Sequence, residues 1–379
     1  MINKEYRFEV YADNWSYWAF QKNYPAISSK VHGDVAFAVI KDDGTLNADY
    51  PIFPQDPLNP WQQAAPPGCD GLAVGGWTNS QPGEGLYNVL TGASEKARQT
   101  LIETLVENAK KFGYKNVILD YENYSNPPPD PFLYTHFLQQ LGQKLHKNGI
   151  ELEIAISPIP ANQNYYNLPE LVHTNCVDRF HIMTYDYAMG QSGQIRVESN
   201  SSIAMTMDLL KQLENTIPQS KMMIGLPLYG LGYQLPRGTP LSQVAESLKN
   251  NSLIAVSYAV FEGAVPSITD DQLILEIGDW NNPKNGWAKL ANQNHPPDYY
   301  YYNERTGVII SAFPPESIQD FARVIQEEFP DIEGAFAWEA QGDFKGKMME
   351  EFVNALGSKK RDSTHCRALR QVRRLSIRV

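Results

Sequence analysis

The chain has 379 residues, of which 42% are hydrophobic and 20% charged, which is the balance of a soluble globular protein with a substantial core. The formal net charge is −11, although residues 359–379 carry eight Lys or Arg and one acid, so that the preceding residues carry −18. Such an acidic body argues against nucleic acid as the main partner. The basic tail is expected to be a solvated terminus. An alternative is that this tail binds acidic surfaces or RNA.

Several kinds of site are missing from the sequence. The cysteines, Cys69, Cys176 and Cys366, are too scattered for a disulfide framework or a Cys-x-x-Cys metal site. The histidines show no metal-ligand spacing, and no phosphate-loop or dinucleotide fingerprint is present. The amino terminus lacks the apolar stretch of a signal peptide, and no apolar run reaches the roughly 18 residues of a membrane helix. We therefore expect no metal, no cofactor and no membrane association, in a monomer that is cytoplasmic or secreted without a classical signal peptide.

Short β-rich runs alternate with helical segments along the chain, which is the pattern of repeated βα units. The predicted strands are 8–11, 34–40, 71–75, 116–120, 151–157, 179–185, 221–226 and 334–338. Apolar residues at helical spacing predict helices over 94–112, 132–147 and 315–329, the first capped by Ser94 and closed by Gly113. Eight parallel strands with helices between them predict an α/β fold, the (β/α)8 TIM barrel, with its site at the carboxyl ends of the strands.

One segment, 231–312, is too long for a βα loop. It contains a helical pattern at 241–249, strand-like runs at 299–302 and 308–311, and a turn at 304–307. It therefore predicts a small α+β insertion after the seventh strand. The predicted domain organisation is a barrel in two parts, 1–230 and 313–357, with the insertion at 231–312 and a disordered basic tail at 358–379.

Two carboxylates, Asp120 and Glu122, follow the apolar run of the fourth strand. Side chains alternate along a strand, so both should point the same way with Cα atoms about 7 Å apart. At close quarters two like charges raise one pKa, which separates an ionised carboxylate from an acid that holds its proton. This is the chemistry of glycoside hydrolysis. By itself, however, an Asp-x-Glu pattern is more often a turn cap followed by a solvated acid.

Six motifs in order resemble glycoside hydrolase family 18, the chitinases and their relatives, over roughly residues 8–356. They are Gly75-Gly76-Trp77, Leu119-Asp120-Tyr121-Glu122, Met183-Thr184-Tyr185-Asp186, Ile224 to Gly230, the strand pair within Tyr299 to Phe313, and Ala337-Trp338-Glu339. The second matches the end of the family signature Asp-x-x-Asp-x-Asp-x-Glu. Each motif is weak alone, but their shared order makes the resemblance specific.

The resemblance implies a role for each matching residue. Glu122 would be the acid–base catalyst, Asp120 would hold the N–H of the substrate's acetamido group, and Tyr185 would hydrogen-bond the acetamido oxygen. The implied substrate-binding residues are Tyr11 as a wall, Gly76, Trp77 as a loop anchor or outer sugar platform, Met183 through packing, Asp186 beside Glu122, and Trp338 as the floor.

The sequence departs from the family pattern at three positions. Lys115 and Ile118 occupy the places of the signature's first and second aspartates, and Ala73 replaces the small polar residue before the glycine pair. Family members commonly use that second Asp and the Ser to hold the Asp beside the catalytic Glu in an alternate orientation. With an apolar neighbour, Asp120 is expected to be more fixed toward Glu122, with a slower reaction or a shifted pH optimum. The same departure keeps a non-catalytic protein among the alternatives.

The resemblance implies a retaining, substrate-assisted hydrolase of β-1,4-linked N-acetylglucosamine polymers or oligomers, a chitinase-type enzyme. Alternatives are an endo-β-N-acetylglucosaminidase acting on glycan cores and a chitin- or glycan-binding lectin. The retained Glu122 argues against the lectin. A spore- or wall-glycan hydrolase is a further possibility, although the internal repeat that wall binding usually brings is absent.

Overall fold

The computed structural model describes residues 5–13, 29–47, 68–122, 130–158, 165–187, 195–250, 252–260, 286–291, 299–312, 315–343 and 346–357. The strands are β1 (Arg7–Asp13), β2 (Val31–Ala38), β3 (Cys69–Gly75), β4 (Asn116–Asp120), β5 (Glu151–Ile156), β6 (Arg179–Ile182), β7 (Ile195–Arg196), β8 (Met222–Pro227), β9 (Leu231–Gln234), β10 (Ile254–Ala255), β11 (Ser257–Val260), β12 (Trp287–Ala291), β13 (Tyr299–Asn303), β14 (Val308–Ala312) and β15 (Gly334–Trp338). The α-helices are α1 (Gly76–Asn79), α2 (Gly85–Thr91), α3 (Glu95–Phe112), α4 (Pro131–His146), α5 (Leu168–Thr174), α6 (Ile203–Leu213), α7 (Leu241–Lys249), α8 (Pro315–Glu328) and α9 (Lys347–Gly357).

Eight parallel strands close into a barrel in the order β1-β2-β3-β4-β5-β6-β8-β15. Helices surround it, and the main apolar core lies between strands and helices. All five residues of β4 are buried, as expected of a strand covered on both faces. The predicted (β/α)8 barrel is confirmed. Within the described residues, no helix is long and apolar enough to cross a membrane.

Helix α3 illustrates how local sequence sets the elements. The Ser94 hydroxyl accepts a hydrogen bond from the Ala97 backbone N–H at 3.1 Å, and Gly113 ends the helix with a φ of 81°. Both ends lie where capping chemistry predicts them. Helix α4 begins at Pro131, one residue before the prediction, because Asp130 supplies its cap.

The chain between β8 and α8 forms a second sheet, in the order β11-β9-β14-β13-β12. Helix α7 and the strands share a core that includes Tyr233, Val244 and Tyr302. The predicted α+β insertion after the seventh barrel strand is confirmed as a fold. Strands β9, β11 and β12 were not predicted, because each is a run of five residues or fewer without clear alternation. The domain limits remain predictions, and the basic tail at 358–379 lies outside the described residues.

Two kinds of side chain fill the barrel. An apolar layer, which we define as Tyr11, Ala36, Ala73, Ile118, Ala155, Met183, Met223 and Phe336, lies below the mouth formed by the carboxyl ends of the strands. A polar layer lies beneath it, formed by residues that each precede a member of the apolar layer by two positions: Glu9, Asp34, Asn116, Glu153 and His181, all fully buried. This order of layers determines what surrounds the candidate site.

Candidate active site

Asp120 is the last residue of β4 and is 5% exposed, whereas Glu122, two residues on, is only half buried. Between them, the Tyr121 ring packs on Tyr134 of α4, with centroids 5.4 Å apart. Because side chains alternate, the two carboxylates lie on the side opposite Tyr121, toward the barrel mouth. Glu122 is thus the more accessible carboxylate and Asp120 the buried one.

The surroundings of Asp120 favour its neutral form. Burial raises the pKa of Asp120 to about 7, while the charge of His181 acts in the opposite direction. Its Oδ1 atom has no hydrogen-bond partner among the described residues. Near neutral pH this carboxyl is therefore divided between its protonated and ionised forms, which suits a group that must gain or lose charge during a reaction.

Ala73 and Ile118 lie beneath Asp120 and are direct partners in the β3–β4 register, each fully buried. Neither side chain has a hydrogen-bonding group. Where the family pattern has a hydroxyl and a carboxyl, this chain therefore has a packed apolar contact. The expectation of an apolar environment for Asp120 agrees with the structure.

The turn after β3 holds the end of β4. A Cβ atom on Gly75, whose φ is 101°, would lie 2.5 Å from the Asp120 carbonyl oxygen, so only glycine fits this approach. Gly76 also has positive φ, 73°, and a Cβ there would lie 2.8 Å from the Phe37 ring. The Gln81 side chain donates to the Glu122 carbonyl oxygen at 3.3 Å. Trp77 is 54% exposed at the start of α1, a position open to a ligand.

The segment after β6 leaves the sheet three residues earlier than predicted. Strand β6 ends at Ile182, and the Thr184 hydroxyl donates to the Gly225 carbonyl oxygen at 2.6 Å. The Tyr185 ring packs beside Gly225, where a Cβ atom would lie 2.6 Å from it. Met183 is 7% exposed and belongs to the apolar layer, so it acts here through packing.

Asp186 has a φ of 58°, a conformation that non-glycine residues rarely adopt. Its backbone N–H donates to Asn200 Oδ1 at 3.1 Å, and its Oδ1 accepts from the Tyr229 hydroxyl at 2.6 Å. These contacts fix the carboxylate beside Tyr185, whose ring lies 6.2 Å from that of Tyr229. Sequence reasoning did not assign roles to Asn200 or Tyr229, although Tyr229 lies within a recognised motif.

Aromatic rings form one wall of the mouth. Trp338, at the end of β15, stacks on Phe37 with centroids 5.4 Å apart and planes at 24°. Tyr11 contacts the same indole edge-on at 5.5 Å. The structure thus brings the predicted wall and floor residues together, and it adds Phe37, which no sequence motif had indicated.

An ion-pair cluster lies in the polar layer. His181 Nε2 is 2.5 Å from Glu153 Oε2 and 3.0 Å from Glu9 Oε2. Arg7 pairs with Glu9, and Arg179 pairs with Glu153 at 2.6 Å. One histidine and two carboxylates have the donor types of a metal site, but each of these carboxylates already pairs with a guanidinium group. We therefore assign the cluster as an ion-pair network. Sequence reasoning missed it, because a charged residue inside an apolar strand indicates an ion pair only once its partners are known.

Several known proteins resemble this chain. The "Cortical fragment-lytic enzyme" of Bacillus subtilis (strain 168) is 29% identical over 158 residues, covering 40% of this chain and 36% of that protein. "Endochitinase 1" of Metarhizium robertsii is 24% identical over 296 residues, covering 73% and 62%. This chain thus spans less than two thirds of these curated relatives.

Solved structures share the fold. A family 18 N-acetylglucosaminidase from Paenibacillus barengoltzii has a TM-score of 0.70 at 17% identity, covering 93% of this chain and all of that one. The class V chitinase from Nicotiana tobaccum has a TM-score of 0.70 at 16% identity, covering 94% and 99%. The model of the family described as glycosyl hydrolases family 18 matches residues 7–343. The chain therefore belongs to glycosyl hydrolases family 18.

Proposed function

We propose that the protein hydrolyses β-1,4 bonds between N-acetylglucosamine units of chitin or chito-oligosaccharides, with retention of configuration and with participation of the substrate's own acetamido group. The observation that carries this proposal is the pair at the end of β4: a buried Asp120 whose pKa is about 7, next to a more accessible Glu122. Membership of a glycosidase family supports it.

In the first step, Glu122 would transfer its proton to the glycosidic oxygen while the bond from that oxygen to the anomeric carbon breaks. The acetamido carbonyl oxygen would form a new bond to the anomeric carbon, which gives a cationic oxazolinium ring. Ionised Asp120 would accept a hydrogen bond from the acetamido N–H and offset the positive charge of the ring. The burial of Asp120 strengthens this electrostatic attraction.

A tyrosine, a tryptophan and an aspartate would orient the sugar. Tyr185 would hydrogen-bond the acetamido oxygen and so keep it near the anomeric carbon. Trp338, stacked on Phe37, presents a flat apolar surface for the sugar ring. Asp186, held by a hydrogen bond from Tyr229, would accept a hydrogen bond from a sugar hydroxyl.

In the second step, water would attack the anomeric carbon from the face that the leaving group vacated. The Glu122 carboxylate would take a proton from this water, and the oxazolinium ring would open. Two inversions at the same carbon give net retention, and Glu122 returns to its protonated form.

A second candidate substrate is a glycan of the bacterial spore cortex. The observation in its favour is that two of the curated matches are a "Cortical fragment-lytic enzyme", 29% identical over 158 residues, and a "Putative sporulation-specific glycosylase YdhD", 28% identical over 201 residues. The same catalytic residues would serve it, as they would an endo-β-N-acetylglucosaminidase acting on glycan cores.

The test is to incubate the protein separately with a chito-oligosaccharide series, spore cortex fragments and an N-glycoprotein, and to identify the products by mass. Glu122→Gln should lower turnover at least roughly 100-fold while ligand binding persists, because glutamine keeps the shape but cannot donate the proton. Glu103→Gln, on the exposed face of α3, is the matched control. Fully deacetylated oligomers should bind but resist cleavage.

Three results would contradict the proposal. Near-native turnover by Glu122→Gln would remove it as the acid, and equal cleavage of deacetylated oligomers would exclude participation of the acetamido group. Binding by the wild-type protein without cleavage of any substrate would identify it as a lectin.

A further inference from the structure

His181 lies in the polar layer, fully buried, with both ring nitrogens engaged. Its Nε2 atom faces Glu153 and Glu9, and its Nδ1 atom is 3.1 Å from the Tyr11 hydroxyl oxygen. A ring nitrogen between two carboxylates is most stable when it carries a proton. Although burial opposes the charge, hydrogen bonds to Glu153 and Glu9 raise the pKa of His181 to about 10.

The charges of the surrounding groups support the same assignment. Arg179 contacts both Glu151 and Glu153, and Arg7 contacts Glu9. Three carboxylates therefore face two guanidinium groups, and the His181 imidazolium supplies the third positive charge. Burial and the nearby Glu9 and Glu153 hold the pKa of Asp34 well above its usual range, which favours the neutral form of this carboxyl.

Protonation of His181 determines the role of Tyr11. An imidazolium has no acceptor nitrogen, so its Nδ1–H must donate to the Tyr11 oxygen. The hydroxyl proton of Tyr11 then remains available for another acceptor. After burial, the Asp120 carboxylate is the strongest influence that raises the pKa of Tyr11, so the two groups are electrostatic neighbours.

We propose that His181 is a positioning residue that fixes the Tyr11 hydroxyl oxygen by donating a hydrogen bond to it from Nδ1. Its charge also supports the ionised form of Asp120 from below. This arrangement does the work for which the family pattern uses a hydroxyl and a second carboxyl, at positions where this chain has Ala73 and Ile118. The catalytic consequence rests on the proposed function, whereas the hydrogen-bond arrangement does not.

Five barrel strands place titratable or charged groups around His181. The titratable and charged groups are Arg7, Glu9 and Tyr11 from β1, Asp34 from β2, Asp120 from β4, Glu151 and Glu153 from β5, and Arg179 from β6. Strand β15 contributes the uncharged Phe336 ring, which stacks on the imidazole with centroids 4.5 Å apart. Replacing Phe336 thus disturbs the packing of His181 without removing its charge.

The first measurement is independent of activity. Nitrogen-15 spectra of histidine-labelled protein, with His181 assigned by its loss in His181→Gln, should show both ring nitrogens protonated at about pH 8. The pKa of the Asp120 carboxyl, measured by carbon-13 titration, should then be higher in His181→Gln and in Glu153→Gln than in the wild type. It should be unchanged in Phe336→Leu. An unprotonated ring nitrogen in the wild type, or an unmoved titration in a folded Glu153→Gln protein, would overturn the proposal.

The second measurement is the pH dependence of kcat/KM on the substrate that the wild type cleaves. His181→Gln should lose at least about threefold more of kcat/KM at about pH 6 than at about pH 8, because Asp120 then ionises at higher pH. A loss that is uniform with pH, like that expected of Phe336→Leu, would mean that His181 has only a packing role. If the wild type cleaves nothing, the proposed function fails, and the spectra still decide the role of His181.

Discussion

Replacing Asp120 by asparagine should stabilise the protein, and the gain should depend on pH. The folded-state pKa is about 7, whereas the ordinary value is 3.8. The folded protein therefore holds this proton more tightly than the unfolded chain. The stability that protonation gives is fully present below the unfolded pKa and is lost as pH rises through the folded pKa. Asparagine has no charge to desolvate and avoids this loss.

The magnitude follows from the two pKa values. One pKa unit corresponds to about 1.4 kcal/mol, so the rise from 3.8 to about 7 corresponds to about 4 kcal/mol of stability lost between acidic and alkaline pH. Because the carboxyl is 5% exposed, screening by solvent is small. Relative to wild type, we therefore expect Asp120→Asn to gain about 2 to 4 kcal/mol more at about pH 8.5 than at about pH 5.

Urea denaturation of both proteins at the two pH values measures this difference as a change in the free energy of unfolding. Asp208→Asn, on an exposed position of α6, is the matched control and should show no such pH dependence. An equal effect of Asp120→Asn at both pH values would refute the reasoning, because it would mean that Asp120 is not desolvated in the folded state.

Three further predictions concern the surroundings of the site. Ile118→Asp should cost on the order of 2 to 4 kcal/mol of stability through lost packing and a buried carboxyl. Adding Ala73→Ser should restore part of this stability, because the two residues are register partners. Strictly additive changes in the free energy of unfolding would contradict this coupling. Gly225→Ala should lower kcat at least roughly tenfold, because the new methyl group would displace the Tyr185 ring. An unchanged kcat would mean that Tyr185 has no role in catalysis. Tyr229→Phe should raise KM more than it lowers kcat, because Asp186 loses a 2.6 Å hydrogen bond. Steady-state kinetics on a chito-oligosaccharide would measure both constants, and an unchanged KM would contradict the role given to Asp186.

The barrel was predictable because its signals are local. The strand at 116–120 is a short apolar run, and α3 has a helical stripe between a serine cap and a glycine stop. The predicted site residues follow the strand ends, and the carboxyl ends of parallel strands necessarily meet at one face. The prediction was wrong by a few residues where a side chain takes the place of backbone hydrogen bonds between strands. At the end of β6, for example, the Thr184 hydroxyl donates to the carbonyl oxygen of Gly225, 41 residues away in sequence.

The ion-pair network was not predictable in the same way, because its members come from distant parts of the chain. Glu9, Glu153 and His181 lie on three strands, and each by itself is equally compatible with an exposed position. A charge in an apolar strand becomes informative only when its partners are known, since burial without them is too costly. The barrel had to close before the three could be seen to contact one another.

The order of the layers explains how the chain tolerates an apolar residue where the family pattern has a carboxyl. Ile118 and Ala73 remove polar groups directly beneath Asp120, which alone would leave its ionised form without support. The polar layer two residues lower restores a positive charge, and Tyr11 reaches across the apolar layer to His181 at 3.1 Å. The electrostatic support of Asp120 thus comes from a cation at longer range, so the position of its titration should depend on Glu9 and Glu153, which keep His181 charged.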